Sequence, residues 1–192
     1  RDFCLSRGLG DVYKRQVFAV AGSNTQTVEQ GVRDLADFLH MLGNPVGVIS
    51  AGNSQSLERF LDLNYPLSIL DVQRTMAVCA EDGAAAVILA LSEETLNDDA
   101  LQSVNVDVLG CDDKGLSEAE IVKSVARFGC TVGKQTHIAG RTQESDALAA
   151  QATEAYGQTD SSALSLSIAM VLAAGVRKAN IKSALRVSRD LN

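Results

Sequence analysis

Val17-Phe18-Ala19-Val20-Ala21-Gly22-Ser23-Asn24-Thr25-Gln26-Thr27 is the stretch whose reading decides the fold. Five apolar residues run into a short polar loop, after which apolar side chains recur at Val28, Val32, Leu35, Phe38, Leu39 and Leu42. The run suits a buried strand and the later spacing is one face of a helix, so the segment reads as strand, tight loop and helix. A loop in that place aims backbone N–H groups and the positive helix end at an anion. Its nucleotide-binding form adds Gly-Lys-Thr/Ser, in which the lysine meets phosphates and the hydroxyl reaches magnesium. Thr25-Gln26-Thr27 stands there instead. Thr27 keeps the hydroxyl, while Gln26 puts a neutral amide where the ammonium belongs. The candidate nucleotide-contacting residues are therefore Gly22, Ser23, Asn24, Thr25, Gln26 and Thr27, with Thr27 the candidate metal ligand.

Outward from this unit the alternation continues. Gly43-Asn44-Pro45 stops the first helix and Val46-Gly47-Val48-Ile49-Ser50 reads as a second strand, followed by a loop region from Ala51 to Pro66. Ile69, Val72, Met76 and Cys79 predict a helix closed by Glu81-Asp82-Gly83, and the continuous apolar run from Ala84 to Leu91 predicts a strand covered on both faces. Val104 to Leu109 repeats that pattern more weakly. Ser117-Glu118-Ala119-Glu120 has capping-box spacing before Ile121, Val122 and Val125. Thr136 to Ala139 is a candidate strand and Gln143 to Ala155 a helix. An apolar helix follows from Ser161 to Gly175, a residue suited to the left-handed position past a helix end, and a last helix runs through Ile181 and Leu185. Strands alternating with helices predict an α/β fold: a doubly wound, mostly parallel sheet covered on both faces.

Composition narrows the function classes. At 192 residues and 46% hydrophobic, the chain can bury one good core. A net charge of −7 argues against nucleic acid or an anionic membrane surface as partner, since both call for clustered Lys and Arg. Cys4, Cys79, Cys111 and Cys130 lack metal-ligand spacing and read as reduced thiols, which with the lack of a membrane-length apolar run predicts a cytoplasmic protein. His40 and His137 are the two histidines, too few for a histidine-based metal or triad site. His40 suits a helix C-terminus and His137 a strand. Residues 1–16 show little periodicity and resemble translated adapter sequence at the end of a metagenomic read. They are set apart as a non-native leader, with residues 17–192 as the domain and the whole as a fragment of a longer protein.

From Val17 onward the chain resembles the central domain of the Mur ligases, most of all the UDP-N-acetylmuramoyl-tripeptide synthetase branch. The family loop G-T-N-G-K-T is matched by Gly22-Ser23-Asn24-Thr25-Gln26-Thr27, and the G-x-x-V-G-V-I-G-T strand by the stretch Gly43 to Ala51. The family's D-V-Q helix start is matched by Asp71-Val72-Gln73-Arg74, and its late A-A-I-x-L-G-type helix by Ser167 to Val176. The resemblance implies a P-loop-type fold, ATP and Mg2+ as cofactors, and a UDP-linked peptide as substrate. It also implies a role in peptidoglycan synthesis beside a Mur ligase or other domains of the same chain.

The departures from the family fall on the chemistry. Where a strand should end in E-V-S-S-H, with the Glu holding magnesium, Ala90-Leu91-Ser92-Glu93-Glu94 stands. Gly110-Cys111-Asp112-Asp113-Lys114-Gly115-Leu116 replaces the T-N-x-x-x-D-H-L-D segment, without its Asn or His. The lysine that the family carbamylates falls near Lys123, which also reads as a solvated helix residue. The Thr-Thr-Pro turn that touches substrate is reduced to Asn64-Tyr65-Pro66, and the late β-hairpin has no counterpart where Ala155-Tyr156-Gly157 follows the helix directly. Glu93-Glu94 with Asp98-Asp99, and Asp112-Asp113, read either as compensating metal carboxylates or as solvated acidic turns. Cys111 follows a strand, where sites of open α/β sheets gather, but has no histidine nearby in sequence.

Phosphoryl transfer needs magnesium and positive groups to neutralise charge on the moving phosphoryl. Loss of the loop lysine together with the metal carboxylate therefore points to a pseudoenzyme with a structural or regulatory role and, where ATP is still bound, weak binding. Two other readings stand beside it: an active ATP-dependent amide ligase with a rebuilt site, favoured by Asn24 and Thr27, and an unrelated small-molecule-binding α/β domain.

Overall fold

The computed structural model describes residues 15–112, 117–133, 135–156 and 162–191. Cys4, Asp113, Lys114, Gly157 and residues 1–14 of the leader lie outside them. Arg15 and Gln16, assigned to the leader from sequence, belong to the fold. Gln16 is the first residue of a strand and Arg15 donates to the carbonyls of Ala80 and Ala84.

Strand β1 (Gln16–Ala21) leads through the loop into helix α1 (Thr25–Met41), and β2 (Val46–Ile49) follows. The region expected to be a loop then holds a small hairpin, β3 (Gln55–Ser56) and β4 (Arg59–Phe60). Next come α2 (Ile69–Glu81), β5 (Ala86–Ala90), β6 (Val108–Cys111) and α3 (Glu118–Val125), which tightens into a 3-10 turn at Ala126–Phe128. The chain closes with β7 (His137–Ala139), α4 (Gln143–Tyr156), α5 (Ser162–Ala173) and α6 (Lys178–Leu191). The strand expected over Val104–Leu109 thus lies later. Val104 and Val106 are buried in a connection that carries the isolated Asn105–Thr131 bridge.

The strands form one sheet in the order β4-β3-β2-β5-β1-β6-β7. The five strands from β2 to β7 are parallel, and the β3–β4 hairpin adds antiparallel to the β2 edge. Alternation along β1 divides the core in two. Phe18 and Val20 pack with Val32, Leu35, Phe38 and Leu39 of α1 and Ile168 and Met170 of α5. Val17, Ala19 and Ala21 pack on the other face with Val72 and Cys79 of α2 and Ile121 and Val125 of α3.

This two-faced arrangement follows from crossover handedness. The connection β1-α1-β2 runs toward one edge of the sheet and uses one face. The connections β2 to β5, β5 to β6 and β6 to β7 run the other way and use the opposite face, as right-handed crossovers require. The reversal happens at β1, so the crevice beyond its C-terminal end is where a ligand of an open α/β sheet is expected.

Helix ends obey local chemistry. Asn24, Ser68 and Ser117 cap α1, α2 and α3 through their side chains, the last two in complete capping boxes with Asp71 and Glu120. Gly175 takes φ +92 just beyond α5, a conformation that a side chain disfavours. No described helix is long and apolar enough to cross a membrane.

Candidate functional site

Beyond the end of β1 lies a cleft of about 370 Å³. One wall is Gly22 to Thr25, a second is Leu91 to Glu94 after β5, and the third is Ser124 to Phe128 at the end of α3. The topology therefore brings Gly22, Ser23, Asn24 and Thr25 to the expected crevice. Gln26 and Thr27 follow in the first turn of α1, where Gln26 is exposed.

Within the loop, Asn24 sets the geometry. Its extended backbone starts the helix, and its Oδ1 accepts the Thr27 N–H at 2.9 Å and the Thr27 hydroxyl at 3.0 Å. The N–H groups of Thr25 and Gln26, in the first turn, have no acceptor within the helix and carry its positive end. The loop thus presents backbone and one helix pole to the cleft, with no side-chain cation of its own.

The cation lining this cleft is Arg127, and its charge is engaged. It pairs with Glu93 and, at 3.0 Å, with Asp98, and it lies 5.4 Å over the ring of Phe128. The hydrogen bonds it donates to Asp98 and Glu93 hold the guanidinium above its ordinary range. Two of the four carboxylates weighed as a compensating metal cluster are thus ion-pair partners, and Arg127, some thirty residues away in sequence, is what organises them. Among the described residues, no group of three or more His, Cys, Asp or Glu is placed to hold a metal ion.

The residues do not fit a bound magnesium at the positions the resemblance implies. Ala90, where a metal carboxylate is expected, is fully buried among apolar side chains at the end of β5. The Thr27 hydroxyl donates to Asn24 and keeps its lone pairs, but a single hydroxyl without a carboxylate beside it makes no magnesium site. Lys123 is exposed on α3. His137 is exposed at the start of β7, and His40 is exposed in the last turn of α1, toward the opposite end of the sheet from the loop. Cys111 is buried at the end of β6, and burial pushes the thiols of Cys79 and Cys130 up, away from thiolate chemistry.

A polar network beside the cleft was not foreseen from sequence. The Ser92 hydroxyl donates to Thr95 Oγ1 at 2.9 Å, and Thr95 Oγ1 accepts the Ala51 N–H at 3.0 Å. At the end of β2 the Ser50 hydroxyl donates to Glu29 of α1, and Ser54 joins the Ser50 backbone to the Tyr65 hydroxyl. Burial, ahead of the nearby Glu29 and Asp62 charges, pushes the Tyr65 phenol up. Asn64-Tyr65-Pro66 is locked into the fold by this bond and by Asn97, which donates to the Pro66 carbonyl at 3.0 Å. The signal for Glu29 was available: a charged residue one residue past the buried Val28 faces the neighbouring strand end.

Comparison of the chain with protein-family models and with curated proteins finds no match.

Proposed function

We propose that the chain is a divergent domain of the Mur-ligase type that has lost ATP-dependent amide ligation and serves as a structural or regulatory module in peptidoglycan synthesis. It would act beside a true ligase or other domains of its own chain. The observation that carries this reading is Ala90: the strand end that should present a metal carboxylate is apolar and fully buried. The engaged Arg127 adds to it. The loop at the end of β1, with free N–H groups at the head of α1, supports a remaining weak affinity for the phosphates of a nucleotide.

Two measurements test the reading. Full-length native protein, given ATP, magnesium, UDP-linked muramoyl peptide and amino acids, should show no amino-acid-dependent phosphate release. Turnover would instead establish an active amide ligase with a rebuilt site. In the second, Thr25→Gly with Gln26→Lys restores Gly-Lys-Thr, and calorimetric titration should show Mg-ATP binding tightened by roughly 1.5–3 kcal/mol, about ten- to a hundredfold. No gain in a folded variant would reduce Gly22–Thr27 to a strand-to-helix turn and favour an unrelated small-molecule-binding α/β domain.

A further inference from the structure

We draw no further inference here: the strongest candidate, the polar side-chain cluster of Glu29, Ser50, Ser54 and Tyr65 where the head of α1 meets the end of β2, leaves Glu29 Oε1 buried without a hydrogen-bond partner among the described residues, but Glu29 does not line the cleft beyond β1 and nothing in the structure shows what would meet that oxygen.

Discussion

Asn24 and Thr27 form a closed local pair in which one carboxamide oxygen accepts both the backbone N–H and the hydroxyl of the residue three positions on. The same two side chains are the ones a nucleotide-and-metal reading of the loop would retain. In this conformation they stabilise the head of α1, with the Thr27 proton committed to Asn24 and the lone pairs of its oxygen left uncommitted by the pair. The two bonds to Asn24 thus satisfy one backbone donor of the first turn and orient the Thr27 side chain.

Asn24→Ala should therefore cost stability. Loss of a side-chain N-cap is worth about 1 kcal/mol, or about 2–4 °C in melting temperature for a domain of this size. Asn24→Asp, which keeps an acceptor and adds negative charge at the positive helix end, should hold or raise it. Thermal melts of the two variants beside wild type check this, and an unchanged alanine variant would remove Asn24 from its assigned capping role.

What could be read from sequence and what could not divide along a physical line. β1, α1, β2, α2 and β5 were visible because each buries a continuous run or one periodic face, as in Val17 to Ala21 or Val28 to Leu39. The β3–β4 hairpin was hidden because its strands are two residues each, Gln55–Ser56 and Arg59–Phe60, with no alternation. Pairing with β2 makes them strand, and Leu57 turns without the glycine that would have announced it. Val104 and Val106 misled because burial in a connection resembles burial in a strand. At the candidate site, the loop residues were evident from their position after β1. Arg127 was not, since only the folded chain carries it across to Glu93 and Asp98.

Gly110 of β6 lies directly beneath Met170 of α5. A Cβ placed there would meet Met170 Cγ and Cε at 2.8 Å and collide with its Sδ. Gly110→Ala should destabilise the domain by about 1–3 kcal/mol through overpacking. Met170→Ala alone should cost about 2–5 kcal/mol as a cavity. Because the substitution at 170 removes all three clashing atoms, the double variant should be more stable than the sum of the single losses predicts. Urea denaturation of the four proteins gives the cycle, and strict additivity would show that α5 does not press on β6 in this way.

The capping boxes make stability depend on pH. Hydrogen bonds from the Ser68 hydroxyl and then the Ser68 backbone hold the Asp71 carboxyl below its ordinary value, and Ser117 does the same for Glu120. A carboxyl with a lower pKa folded than unfolded contributes stability that is present above the unfolded pKa and is lost as pH falls through the folded one. Melting temperature should thus be level near neutrality and decline below about pH 4. Asp71→Asn with Glu120→Gln keeps acceptors in place but removes the titration, so its decline between about pH 5 and pH 2 should be shallower. Parallel slopes would assign the acid sensitivity to other groups.

The boundary of the folded chain can be located by two truncations. Reading the leader as adapter-derived predicts that removing residues 1–14 leaves the melting temperature unchanged. Removing residues 1–16 should lower it. Arg15 donates from Nη2 to the Ala80 carbonyl in the last turn of α2 at 2.8 Å and from Nε to the Ala84 carbonyl just before β5 at 3.2 Å. Gln16 opens β1 and stands opposite Ala86 of β5. With about 1 kcal/mol for each bond lost, two or so bonds correspond to a fall of about 4–8 °C. Calorimetry on both truncations separates the cases. A fall already at residue 14 would mean that the leader packs against the domain, and no fall at residue 16 would mean that β1 is held from Val17 onward alone.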